Sequence, residues 1–188
     1  MPVRIARRIR ISIVGIYPHL PRPPLAVPMI FQEQTNWCWA ACAEMVASYY
    51  GKQAPQCESA NYLFGRNDCC NLPSSGPCNK PIPDNDPGAI TRVYSHWGIQ
   101  SQINYPVSYE VLESEMASSR PVELAFLWNS GGGHAALVIQ TFLVLWFLRW
   151  IRVNDPWYGQ GAVPFDSLGN YLGLGCWAGT WTGITPAI

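Results

Sequence analysis

Charge is scarce in this chain. Asp, Glu, Lys and Arg make up 13% of its 188 residues, and the formal net charge is zero. The usual charged share is about 25%. A balanced, weakly charged chain offers no global basis for nucleic-acid binding. Apolar runs are short. Residues 142–148 form a run of seven closed off by Arg149, far below the ~18 that a membrane-spanning helix needs. No repeat with a period of ~20–50 residues is visible, which excludes a solenoid. Histidine is sparse as well: His19, His96 and His134 are the only three. What the chain has in quantity is apolar and turn-forming. Hydrophobic residues are 48%, with nine Trp, nine Tyr, 16 Gly and 17 Pro. That excludes a wholly disordered chain and points to one loop-rich α+β domain with a real core.

The neutral total hides an asymmetry. Residues 1–22 hold five arginines and no acid, so the remaining chain carries seven bases against twelve acids. The apolar stretch after the arginines contains Ser12 and Gly15, then meets Pro18, Pro21, Pro23 and Pro24. No small-residue cleavage site follows cleanly, which disfavours a standard signal peptide. A basic, Pro-rich arm over residues 1–29, ahead of a domain over 30–188, is the favoured reading. A natural start near Met29 is a further reading.

Seven cysteines leave at least one thiol unpaired. Cys57, Cys69, Cys70 and Cys78 fall in a segment rich in Asn, Pro, Ser and Gly, which has little apolar surface with which to hold itself. Disulfides among these four are the expected staple, implying an oxidising destination. The absence of a Cys-x-x-Cys pair and of histidine in the segment disfavours zinc. Free thiols in a cytosolic protein are the remaining alternative.

Helix signals fill the first half. Residues 37–50 read as a helix capped by Asn36 and stopped by Gly51. A second runs over residues 87–97, with Asp86 as N-cap, Pro87 at the first position and Gly98 as terminator. A third covers residues 109–118 behind Ser108. Strand signals fill the second half, at residues 122–128, 135–141, 150–153, 162–165 and 176–184. Residues 142–149 lack turn residues, so one long apolar hairpin or a local irregularity is expected there.

The chemistry-bearing segment is residues 32–41, Gln-Glu-Gln-Thr-Asn-Trp-Cys-Trp-Ala-Ala. It puts Cys38 in the first turn of a helix, where unsatisfied N–H groups and the dipole favour the thiolate, the reactive form. Gln32 lies six residues upstream, where its amide can join the Cys38 N–H as an oxyanion hole. Gln34 competes for that role. A thiolate nucleophile needs a histidine base and a group that orients it. His134 follows three glycines and opens a strand. Asn154-Asp155-Pro156 follows a strand able to pair with it, so either Asx side chain can fix the imidazole tautomer.

Cys38 in Trp-Cys-Trp-Ala-Ala, the upstream Gln, the Gly-Gly-His-Ala turn and Val-Asn-Asp-Pro-Trp, taken together, resemble the papain-like cysteine proteases. The resemblance covers residues 30–184 and is nearest to two compact bacterial branches. These are the avirulence-type effector proteases and the peptidases that cut double-glycine leader peptides. It implies a two-lobed α+β fold with a helical lobe and an antiparallel sheet lobe. It also implies a monomeric cysteine endopeptidase acting on a protein or peptide substrate without metal or organic cofactor. Residue by residue it implies Cys38 as nucleophile, His134 as base, Asp155 as orienter in preference to Asn154, and Gln32 in the oxyanion hole. The effector branch implies secretion from a bacterium into another cell, with a cytoplasmic location as the alternative. Acyl transfer or deamidation by the same triad, and a catalytically silent binding module, are the competing functions.

Overall fold

The structure, a computed structural model, describes residues 22–83, 86 and 88–188. His19, Pro87 and the arginines at positions 4, 7, 8 and 10 lie outside the described residues. Three helices open the fold: α1 (Cys38–Tyr49), α2 (Gln56–Phe64) and α3 (Ala89–His96). Strand β1 (Ile99–Asn104) and helix α4 (Tyr109–Ala117) follow. Then come β2 (Val122–Trp128), β3 (Gly133–Val144), β4 (Leu148–Asp155), β5 (Gly159–Pro164), a 3-10 turn (Phe165–Asn170) and β6 (Gly175–Pro186). The strands form one antiparallel sheet in the order β1-β6-β2-β3-β4-β5. The expected helical lobe and antiparallel sheet lobe are both present.

The sheet is covered on both faces because β3 alternates apolar residues to each side. Ala135, Leu137 and Ile139 join a core with α1 and α3. Ala136 and Val138 join a second core with Tyr109, Leu112 and Met116 of α4. Helix α1 is buried nearly all round, which its run of alanines makes possible: small side chains let the helix lie close to the sheet. Among the described residues, no helix is long and apolar enough to cross a membrane. Residues 22–29 lie against the domain rather than apart from it. The Leu25 N–H donates to Ile139 O at 2.8 Å, and Val27 is buried. The folded unit thus includes residues that the sequence assigns to the arm.

Four local expectations change. Asn36 does not cap α1; its side-chain amide donates to Asn79 O at 3.0 Å, and Trp37 takes the N-cap position without a side-chain bond. Asp86 does not cap α3 either. Gly88 holds that position while the Asp86 carboxylate pairs with Arg92. Part of the cysteine-rich segment is helix α2, ended by Gly65 in the left-handed conformation at φ 63°. Strand β1 has only its first residue buried, so it carries too little apolar alternation to stand out.

The four loop cysteines pair as Cys57–Cys70 and Cys69–Cys78. Cys38, Cys42 and Cys176 are free. The staple bears directly on α1. Cys78 O accepts the Trp37 indole N–H at 2.9 Å, and Lys80 O accepts that of Trp39 at 3.3 Å. The stapled loop therefore fixes the two aromatic residues flanking Cys38.

Candidate active site

Cys38 is the first residue of α1 and is 9% exposed. No side chain caps this helix, so its first N–H groups stay directed at whatever sits before it. Across from it, His134 follows the turn between β2 and β3. Gly131 and Gly132 have φ of 90° and 78°, conformations that cost glycine little. Gly133 is required for another reason: a Cβ there would lie 2.9 Å from Phe126 O. The three glycines thus let the chain turn tightly and deliver His134 to the mouth of the sheet.

Register decides which Asx residue meets the imidazole. Leu137 pairs with Asn154, so Asn154 shares the face of Leu137 while Asp155 shares the face of His134 and Ala136. His134 Nε2 lies 2.9 Å from Asp155 Oδ1, both side chains almost fully buried. Asn154 turns the other way, donating to Val27 O at 3.1 Å and accepting from Gln160 at 2.9 Å. It ties the entering chain to the sheet. Asp155 is saturated with donors. Its Oδ1 also takes the N–H groups of Trp157 at 2.8 Å and Tyr158 at 3.0 Å, and its Oδ2 takes the Tyr171 hydroxyl at 2.9 Å.

Burial alone would lower the pKa of His134, but the bonds and charges of Asp155 and Cys38 outweigh it and raise it to about 9. Burial likewise opposes ionisation of Asp155, yet His134 and the two backbone donors hold its pKa below the ordinary carboxylate value. The pair is therefore imidazolium and carboxylate at neutral pH. With Nε2 committed to Asp155, the other ring nitrogen is left for Cys38, which lines the same cleft. Trp128 stacks on His134 with ring centres 5.3 Å apart and limits the ring's freedom.

Gln32 joins the same cleft, of about 440 Å³, lined also by Cys38, His134, Trp128, Trp157 and Tyr158. Its backbone N–H donates to Pro156 O at 3.1 Å, and its Nε2 donates to Gln34 O at 2.7 Å. An amide nitrogen carries two hydrogens, so one remains for a ligand. Gln34 serves through its carbonyl as the anchor of Gln32. Buried Gln56 of α2 holds the neighbouring backbone: it accepts from Glu33 N at 2.8 Å and donates to Phe31 O at 2.9 Å. The structure thus brings Cys38, His134, Asp155 and Gln32 together. His96 stands elsewhere, stacked on Tyr62 at 4.0 Å. Tyr171 and Gln56 escape a reading of the sequence, since neither sits in a local pattern that marks it.

A family model, the Peptidase_C39 like family, matches residues 24–177. The chain belongs to that family. It is a cysteine peptidase, and its architecture is papain-like. Two solved structures share the fold. One is a double glycine motif protease from an AMS/PCAT transporter in complex with the leader peptide. It is 18% identical at a TM-score of 0.55, covering 88% of this chain and 96% of that one. The other is a C39-like peptidase from Bacillus anthracis, 15% identical at a TM-score of 0.55, covering 84% and 94%. The Pseudomonas avirulence protein AvrPphB aligns at 12% identity and a TM-score of 0.43, over 85% and 97%. A comparison with curated proteins returns no match.

Proposed function

We propose that this peptidase cleaves peptide bonds through a Cys38–His134–Asp155 triad and an acyl-enzyme. The observation that carries the reading is the buried His134–Asp155 pair at 2.9 Å beside a cysteine that opens an uncapped helix. Cys38 attacks the scissile carbonyl as thiolate. The oxyanion forms between the Cys38 N–H and the second Nε2 hydrogen of Gln32. The His134 imidazolium then protonates the departing amine, and neutral His134 takes a proton from the water that attacks the thioester. Asp155 stays ionised throughout and stabilises the imidazolium.

The substrate is an extended peptide lying in the cleft between the helical lobe and the sheet. A second, apolar recess of about 160 Å³ opens beside Cys38, lined by Trp39, Ile82, Ile90, Leu127 and Trp181 among others. It suits an apolar side chain near the scissile bond. The leader peptide bound by the transporter protease supports a peptide substrate. Two disulfides support an oxidising destination, and with it secretion. The test is cleavage of a peptide library by wild type and by Cys38→Ala. Turnover by wild type that the variant lacks is expected; equal products from both would refute the reading.

A further inference from the structure

The end of the β3–β4 hairpin is built against the usual rules for an exposed turn. Leu145, Trp146 and Phe147 form it, exposed to 67%, 75% and 71%. Leu143 and Leu148 flank it and are exposed as well. Leu145 and Trp146 have φ of 51° and 69°, a region that bulky side chains occupy only under strain. Asn-Gly is the ordinary solution for such a turn. Residues 142–148 contain no polar side chain at all. Sheet pairing of β4 with β5 starts at Trp150, so residues 143–149 pair only with each other. The element is a narrow apolar projection.

We propose that this hairpin tip docks on an anionic lipid bilayer, inserting Leu145, Trp146 and Phe147 at the membrane interface. The shape favours a bilayer over a protein groove: the patch is a thin convex end, with an aromatic residue of the kind that settles at headgroup depth. Among the described residues the charge below it is balanced, three arginines against three acids. Arg149 and Arg152 lie on β4 just behind the tip, and Arg22 lies beside it, its carbonyl accepting from Gln140 at 2.6 Å. Residues 1–21 add four more arginines and no acid, and they join the fold at Arg22. An apolar insert combined with a polybasic segment is the pairing that gives stable peripheral attachment. Acids are present too. Glu110 and Glu113 line the groove between α4 and the tip, and Asp166 pairs with Arg149. The tip lies at the opposite end of β3 from His134, roughly 30 Å away at ~3.3 Å per residue. Attachment there leaves the cleft open.

The test is co-sedimentation of the full chain with phosphatidylcholine vesicles, with and without a quarter of phosphatidylglycerol. Wild type is expected to bind the anionic vesicles, more weakly in high salt, and to bind neutral vesicles less. The double variant Leu145→Asn/Trp146→Gly supplies the residues this turn geometry prefers, so it folds at least as well. It is expected to bind at least tenfold more weakly while cleaving a soluble peptide at the wild-type rate. Cys38→Ala is expected to bind vesicles as wild type does, which separates this proposal from the catalytic one. Absence of wild-type binding, or equal binding by the double variant, would overturn the proposal. So would self-association in solution that the double variant abolishes without any binding to vesicles.

Discussion

Asp155→Asn isolates the charge of the orienting group from its geometry. An asparagine in the same place keeps an oxygen toward His134 Nε2, Trp157 N and Tyr158 N, now at 2.9, 2.8 and 3.0 Å from Asp155 Oδ1. Its amide would face the Tyr171 hydroxyl, which can accept. What disappears is the negative charge. A charge at this range is worth about 1–3 pKa units, so the His134 value falls from about 9 to roughly 7. At pH 8 the imidazolium fraction then drops from about nine-tenths to about one-tenth, a tenfold loss, while near pH 6 both proteins stay largely protonated. Activity should therefore fall above pH ~9 in wild type and above pH ~7 in the variant. The assay is kcat/KM against pH on one cleaved peptide. A loss of equal size at pH 6 and pH 8 would mean damaged geometry rather than a lost charge, and the charge of Asp155 would then not set the His134 pKa.

Other outcomes follow from the same structure. Gln32→Ala should lower kcat by about 10²–10³, as removal of one oxyanion donor does, with KM little changed. Glu123 is fully buried, and burial raises its pKa from 4.5 to about 8, against the lowering effect of the Tyr94 hydroxyl. The folded carboxyl keeps a proton that the unfolded one releases, so stability declines as pH rises from about 4.5 to 8, by up to about 1.4 kcal/mol per unit. Urea unfolding of Glu123→Gln should be flatter over that window; an unchanged slope would exclude Glu123 as the source. Replacing Cys69 and Cys78 by serine opens a loop with a separation of nine residues and should cost about 2–3 kcal/mol. It should also lower activity, because Cys78 O positions Trp37 next to the nucleophile. Full activity in that variant would dissociate the staple from the site.

Much of this architecture was legible because the local signals agree with the packing. The strand read at residues 122–128 is β2 to the residue, since Pro121 and the Asn-Ser-Gly-Gly-Gly turn bracket it. The motif around Cys38 and the glycines before His134 are local too, and both deliver their side chains to the cleft. Asp155 and Asn154 could not be separated by local pattern. Strand register separates them, and register depends on partners that the chain meets only in the fold. Helix α2 is hidden by the cysteine-rich segment that it opens, whose pairing is a tertiary fact. Asn36 reads as a cap because it stands before a helix; Asn79, far away in sequence, competes for it and wins. Tyr171 reaches Asp155 from a glycine-rich stretch that carries no pattern of its own.

The proposed triad requires Cys38 to be activated by its surroundings rather than merely present. Alkylation kinetics measure this directly, because the chain supplies its own controls: Cys42 is buried and Cys176 is exposed. With limiting iodoacetamide at pH 6, followed by peptide mapping, Cys38 is expected to react at least ~10 times faster than Cys176, although only 9% of it is exposed, because thiolate character controls the rate. His134→Ala should abolish that advantage. Faster labelling of Cys176, or a Cys38 rate unchanged by His134→Ala, would show that His134 does not activate Cys38.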